Sequence, residues 1–354
     1  MTMRFDERLE SPKSGWERNP LTAFYPLIRE RIAELIPEGW PDFAREIEGH
    51  LTRFSFPPAV LLPVVVCAAA GGAPLSAVSP AAALAFILLG ARWLDDAVDR
   101  DRADGLWSSV GPERSTLFGA SALALAFQAV ASDPDTPREA IERLARYSVS
   151  MGRGQDFDLT GKARSLDEYW ELMRGKTGAG FALACEMGAI SARAEASISD
   201  AFGEFGMHLG VILQILDDLE GCFRPEGVGD LRQGKVTLPL IYALASDHER
   251  RGELQDLVER GDLGQYAARA AEIAESAGAR DYCIWAALEE RKRGLDILKQ
   301  IAPPGSETTR AGRYALISFL ELPFQGLHEI YSCGGSRDDS PKFHPGGESA
   351  LFSA

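Results

Sequence analysis

The chain has 354 residues, 45% of them hydrophobic and 25% charged, and a net charge of −15. That is enough apolar material for a sizeable core, and too acidic a balance for a nucleic-acid surface, which needs a basic patch. The five cysteines (Cys67, Cys185, Cys222, Cys283, Cys333) show neither CxxC pairing nor zinc spacing and read as reduced, mostly buried thiols of a cytoplasmic protein.

Residues 1–18 are charged and lack an apolar stretch, so they read as a disordered lead segment rather than a signal peptide. From 19 to 332 the chain reads as helix: Ala, Leu, Glu and Arg dominate, and apolar residues recur at three and four. The spacing predicts helices over 21–36, 41–54, 58–71, 77–99, 115–131, 137–152, 166–192, 196–222, 236–246, 250–260, 264–277, 279–300 and 307–330. Breaks carry Pro and Gly, as at Pro37-Glu38-Gly39, Gly71-Gly72 and Pro303-Pro304-Gly305. No pair of alternating strands and no shift in composition is visible, so one all-α domain is expected over 19–332, with a disordered tail over 333–354. The longest apolar runs, 57–70 and 81–91, fall short of the roughly 20 residues that cross a bilayer, and no transmembrane segment is expected.

Two acidic clusters interrupt apolar helical stretches. Asp95-Asp96-Ala97-Val98-Asp99 follows a run, 84–94, whose one charge is Arg92. Gln214-Ile215-Leu216-Asp217-Asp218 follows a second apolar run. Carboxylates in such stretches are expensive to bury unless something binds them. At 3.6 residues per turn, Asp95, Asp96 and Asp99 share nearly one face, as do Gln214, Asp217 and Asp218. Opposed across a cavity, two such faces form a cage for hard divalent cations, and Mg²⁺ characteristically bridges a few carboxylates to substrate phosphates. The chain therefore looks built to hold a diphosphate through metal ions.

Between and after these clusters lie three glycine-bearing motifs. Gly154-Gln155-Asp156-Phe157-Asp158 reads as a turn between helices. Gly175-Lys176-Thr177-Gly178 interrupts a helix, and Gly234-Lys235-Val236-Thr237-Leu238-Pro239 opens one. A lysine beside a glycine reads either as plain surface or as a charge for phosphate oxygens. The segments 100–112 and 223–234 follow the two clusters where a lid can close. The histidines (His50, His208, His248, His328, His344) are scattered, none pairs with a carboxylate at ligand spacing, and none is assigned a catalytic role. No nucleophile elbow, Walker loop or dinucleotide fingerprint is present.

Taken in order, Leu94-Asp95-Asp96-Ala97-Val98-Asp99, Gly154-Gln155-Asp156-Phe157-Asp158-Leu159, Gly175-Lys176-Thr177-Gly178, Gln214-Ile215-Leu216-Asp217-Asp218 and Gly234-Lys235-Val236-Thr237-Leu238-Pro239-Leu240-Ile241 resemble the trans-isoprenyl diphosphate synthases, the polyprenyl synthetase family. The resemblance implies an isoprenoid synthase helical bundle around a central apolar cavity, assembled as a homodimer. It implies that Asp95, Asp96 and Asp99 bind Mg²⁺ from one wall and Asp217 and Asp218 from the other, three ions in all. Asp95, Asp96, Asp99 and Asp217 would carry catalysis. Lys176 and Lys235 would contact the allylic diphosphate, and Gln214 and Gln155 would line the same chamber.

The departures from the family pattern shape the functional expectation. A basic Gly-Lys-Arg segment that binds isopentenyl diphosphate is replaced by Phe54-Ser55-Phe56-Pro57-Pro58-Ala59-Val60. Leu88 stands where the family often has a His, Asp104-Gly105-Leu106 where it has Arg-Arg-Gly, and Gly221 where many members carry a third Asp. An allylic site kept beside a lost second site points first to a Mg²⁺-dependent terpene synthase that ionises a linear all-trans prenyl diphosphate, C15 or longer, and releases diphosphate. The alternatives are chain elongation with a second site rebuilt by residues such as Arg53, Arg100 or Arg102, or prenyl transfer to another acceptor. Gly90 and Ala91, one turn before Asp95, lean towards a roomy cavity. Phe86, Trp93, Trp170 and Phe181 are the aromatic candidates beside the motifs.

Overall fold

The computed structural model describes residues 19–53, 58–99, 105–160, 165–223, 230–301 and 305–324. Every regular element among them is helical, as the spacing of apolar residues requires. In chain order the α-helices are α1 Tyr25–Leu35, α2 Pro41–Arg53, α3 Leu62–Ala69, α4 Val78–Asp99, α5 Leu106–Val110, α6 Pro112–Ala131, α7 Arg138–Leu159, α8 Leu166–Met173, α9 Ala179–Ser191, α10 Ala196–Phe223, α11 Leu238–Ala245, α12 Arg251–Glu259, α13 Ala267–Ser276, α14 Ala279–Gln300 and α15 Glu307–Glu321. A π-helical turn, Arg174–Gly178, joins α8 to α9. The expected disordered ends, 1–18 and 333–354, lie outside the described residues, as do Arg100, Arg102 and the 54–57 segment.

Three boundaries differ from the sequence expectation. Helix α7 runs through Gly154 to Leu159, so the segment read as a turn is helical; neither Gly152 nor Gly154 takes the positive φ that would end it. The single helix expected over 166–192 is split by the π-turn, where Gly175 and Gly178 weaken the regular ladder. Part of the segment read as loop, Leu106–Val110, is the short helix α5.

The bundle is organised around two long apolar helices. Helix α4 packs along α6, and α10 packs between α9 and α14. Helix α3, buried on all sides, joins α9 to α15. A smaller apolar cluster lies under α11, α12 and α13. The stretch Pro74–Val98 is long and apolar enough, by length and composition, to cross a membrane, with mean hydropathy 1.8. Yet 72% of its 18-residue apolar window is buried inside the protein, because its faces pack against neighbouring helices. Cys67, Cys185, Cys222 and Cys283 are buried free thiols, and burial pushes the Cys67 thiol up to about 11. Cys333 lies outside the described residues.

Close helix approaches depend on glycine. A Cβ at Gly90 would sit 2.8 Å from the Gly119 carbonyl oxygen on α6. Gly90 is therefore a packing residue between α4 and α6, and of the pair expected to open the cavity only Ala91 lines it. A Cβ at Gly206 would sit 2.3 Å from the Phe181 carbonyl oxygen. Gly206→Ala is expected to force α9 and α10 apart and to destabilise the fold by about 1–3 kcal/mol, the range for overpacking. Urea unfolding of the purified variant measures it.

Candidate active site

A cavity of about 440 Å³ opens between α4, α6, α7, α9 and α10. Its deep part is apolar, with Ile87, Leu88 and Ala91 from α4, Leu123 from α6, Met151 from α7 and Phe181 from α9. Its other part is polar. Helix α4 contributes Arg92 and Asp95, α7 contributes Gln155 and Asp156, the π-turn Lys176 and Thr177, and α10 Gln214, Asp217 and Glu220. Residues 92 and 95 on α4, and 214 and 217 on α10, recur at helical spacing, which is why each helix brings several groups to one wall.

The polar groups are tied together across elements. Gln155 Nε2 donates to Asp95 Oδ1 at 2.6 Å. Lys176 Nζ lies 3.8 Å from the same oxygen and bonds Asp158. This convergence depends on Gly154: a Cβ there would meet the Lys176 backbone nitrogen at 2.6 Å. On the opposite wall Thr177 Oγ1 donates to Gln214 Oε1 at 2.6 Å, and Gln214 Nε2 donates to Asp218 Oδ1 at 2.8 Å. Asp218 Oδ2 accepts from Tyr169 Oη at 2.7 Å and from the Leu238 backbone N–H at 3.3 Å. Tyr169 is carried by α8, whose first turn is fixed by a Ser165–Glu168 capping box.

Asp95, Asp217, Gln155, Gln214 and Lys176 thus line one chamber. Asp96 and Asp218 do not line it. Asp96 is buried beside Arg92, with Nε to Oδ2 at 3.7 Å. Asp218 is 1% exposed, and burial together with nearby Asp230 pushes its carboxyl well above the usual carboxylate range, against the donors Tyr169 and Gln214. The Tyr169 hydroxyl is pushed up in turn by burial and by Asp218. Asp96 and Asp218 lie beside the lining of α4 and α10, each 100° on from a cavity-facing Asp and one turn after the lining Arg92 or Gln214. Lys235 is half-buried ahead of α11, away from the cavity lining, its backbone N–H bonded to the Asp230 carbonyl. Asp99 closes α4, and its side chain lies outside the description, as does that of Arg53. Of the four aromatic candidates only Phe181 faces the cavity. Trp93 packs edge-on with Phe43 in an aromatic core, and Trp170 Nε1 donates to Tyr282 Oη. The histidine reading also shifts: His208 Nδ1 lies 2.6 Å from Glu290 Oε2, a buried pair between α10 and α14 that sequence distance conceals.

Sequence reasoning missed Asp158, Thr177, Tyr169, Asp156 and Glu220. The signal for Asp158 was present, since Gln155 and Asp158 are three apart and share a face once α7 is helical.

Magnesium is the metal the site implies, and the donor set suits it. Asp95, Asp156, Asp217 and Glu220 line the chamber against two cations, Arg92 and Lys176. A free diphosphate would meet net repulsion there, and a metal-bound one would not. Among the described residues no three carboxylate, histidine or cysteine side chains converge on one point. Mg²⁺ is characteristically held by one or two carboxylates and substrate phosphates rather than by an all-protein cage.

The chain matches the family model described as Polyprenyl synthetase over residues 93–274. It is 30% identical over 289 residues to a (2E,6E)-farnesyl diphosphate synthase of Mycobacterium tuberculosis, covering 75% of this chain and 79% of that one. This chain belongs to the polyprenyl synthetase family. A geranylfarnesyl diphosphate synthase of Aeropyrum pernix is 31% identical over 233 residues, covering 60% of this chain and 73% of that one. The solved geranylgeranyl pyrophosphate synthetase of Pyrococcus horikoshii Ot3 superposes with a TM-score of 0.72 at 26% identity, covering 85% of this chain and 97% of that one. As a polyprenyl synthetase the protein is an enzyme of the prenyltransferase class, and its bundle is the isoprenoid synthase fold expected. These relatives are named as diphosphate synthases.

Proposed function

We propose that the protein is a chain-elongating trans-prenyl diphosphate synthase. It ionises an allylic prenyl diphosphate and joins the cation to isopentenyl diphosphate. The observation that carries this reading is a single cavity with Asp95 and Asp217 on opposite walls, Lys176 beside them, and an apolar interior. Mg²⁺, when bound through those carboxylates, neutralises charge on the departing diphosphate. Gln155 orients Asp95, Gln214 and Thr177 brace the other wall, and Lys176 presents its charge to phosphate oxygens as the C–O bond breaks. The apolar interior excludes water from the allylic cation, and Phe181 offers it a π face. The acceptor alkene then forms the new C–C bond and loses a proton, keeping its own diphosphate. The reading carries with it a homodimer, as the resemblance implies, and a cytoplasmic location, as the reduced thiols suggest.

Elongation needs a cation for the acceptor's diphosphate. Arg92 supports that role: it lines the chamber on the flank of α4 away from Leu94 and α6, one turn from Leu88. Its planar fork suits bidentate contact with phosphate. Arg92→Ala is expected to raise KM for isopentenyl diphosphate by on the order of tenfold, a lost charge-assisted contact, with a smaller change in the allylic KM. A cyclase is the second reading, favoured by Leu88 on the cavity wall where the family pattern often has a His.

One assay separates the two. The purified protein is incubated with Mg²⁺ and farnesyl diphosphate, with and without isopentenyl diphosphate, and products are resolved by chain length. A longer diphosphate made only with the second substrate is expected. A hydrocarbon or alcohol released without it would move the assignment to cyclisation.

A further inference from the structure

We propose that Asp218 is a positioning residue rather than a metal ligand, and that with Tyr169 it locks the Lys176 turn and the segment following Lys235 into one register. The inference rests on the allylic-diphosphate reading above, and holds whichever way the cation is later consumed.

The geometry assigns the role. Asp218 is the second residue of an acidic pair, and its neighbour Asp217 alone of the two reaches the cavity. Asp218 sits one turn after the lining residue Gln214, off the lining itself, and both of its oxygens already have donors. Oδ1 takes the Gln214 amide at 2.8 Å. Oδ2 takes the Tyr169 hydroxyl at 2.7 Å and the Leu238 N–H at 3.3 Å. Three donors occupy three of the carboxylate's roughly four lone-pair directions, so turning it towards a metal would break bonds that hold α8, α10 and α11 together.

Those bonds form a continuous path. From Asp218 it runs through Gln214 to Thr177, the residue after Lys176 in the π-turn. In the other direction it reaches Leu238, the first residue of α11, whose preceding segment carries Lys235. Tyr169 braces the junction from α8, out of the cavity. A π-turn is an irregular element with weak intrinsic stability, so its register needs an external tie. Asp218 supplies that tie by fixing Gln214, which in turn fixes Thr177. The second acidic cluster then divides its labour: Asp217 faces substrate and metal, and Asp218 faces the scaffold.

The test measures pyrophosphate release from farnesyl diphosphate in the presence of isopentenyl diphosphate as a function of Mg²⁺, with calorimetric Mg²⁺ binding in the presence of inorganic pyrophosphate alongside it, for Asp217→Asn, Asp218→Asn, Tyr169→Phe, Thr177→Val and the Tyr169→Phe/Thr177→Val double variant. Asp217→Asn is expected to raise the half-saturating Mg²⁺ concentration by about tenfold, while Asp218→Asn and Tyr169→Phe move it less than about twofold. Tyr169→Phe and Thr177→Val are each expected to lower kcat/KM by about tenfold, and the double variant by clearly less than the product of the two, because they cut one path. Additive losses would overturn the path, and a rise in the Mg²⁺ requirement for Asp218→Asn matching that of Asp217→Asn would overturn the division of roles. Absence of pyrophosphate release by the wild type would overturn the allylic reading itself, a separate result. Tyr169→Phe and Thr177→Val remove single oxygen atoms, so the path remains testable if Asp218→Asn fails to fold.

Discussion

Asp95→Ala is expected to lower the rate of diphosphate release by on the order of 10³-fold, comparable to removing a principal electrostatic contact in a preorganised site. Asp95 is the carboxylate on which the α4 wall converges: Gln155 donates to it and Lys176 lies within ion-pair range. Without it, Lys176 loses an anionic neighbour while keeping Asp158, and the metal-bound head loses one of its two opposed anchors. The fold should barely notice. The side chain projects into the cavity and is partly exposed, so truncation creates no closed void, and the melting temperature should stay within the range of a surface substitution, about ±0.5 kcal/mol in stability. Asp95→Asn sharpens the point. It keeps an oxygen to accept from Gln155 and removes only the charge. Asn is expected to be as inactive as Ala, which would locate the effect in charge; near-wild-type release by Asn would refute a metal-holding role.

The sequence conveyed the helical class, the α4 and α10 walls and the meeting of Asp95, Asp217, Lys176, Gln155 and Gln214, because helical periodicity alone decides which residues share a face. It misassigned what depends on angle within a motif. Asp96 and Asp218 follow Asp95 and Asp217 by one residue, and 100° of rotation takes them from cavity to scaffold. It could not distinguish a packing glycine from a space-making one, because Gly90 acts through a neighbour 29 positions away, Gly119. Nor could it find Tyr169 or the His208–Glu290 pair, whose partners lie on other helices and follow no spacing rule. The cyclase expectation rested on a different kind of inference: missing cations at fixed motif positions say nothing of a cation arriving from another position, and Arg92, visible as the one charge in an apolar run, stands on the cavity wall.

Gly154→Ala is the substitution expected to cost most activity without touching a polar group. The new Cβ would meet three backbone atoms of the π-turn, Lys176 N at 2.6 Å, the Gly175 carbonyl carbon at 2.7 Å and Lys176 Cα at 2.9 Å. Backbone cannot swing aside as a flexible side chain can, so either α7 or the turn must shift by a sizeable fraction of an ångström. Helix α7 is held along its length against α9 and carries Gln155 and Asp158. The turn is the softer element and is expected to yield, moving Lys176 away from Asp95 and loosening Thr177 from Gln214. A displacement near 1 Å in a positioned group can reduce turnover by about 10²-fold, and that is the loss expected in kcat/KM for pyrophosphate release. Helix propensity works the other way, since Ala is favoured over Gly in a helix interior by about 1 kcal/mol, so the melting temperature should fall little or not at all. Activity lost with stability retained would tie the glycine to the placement of Lys176. A parallel collapse of both would mean that α7 itself had moved, and full activity would mean that the turn is not held where the lysine needs it.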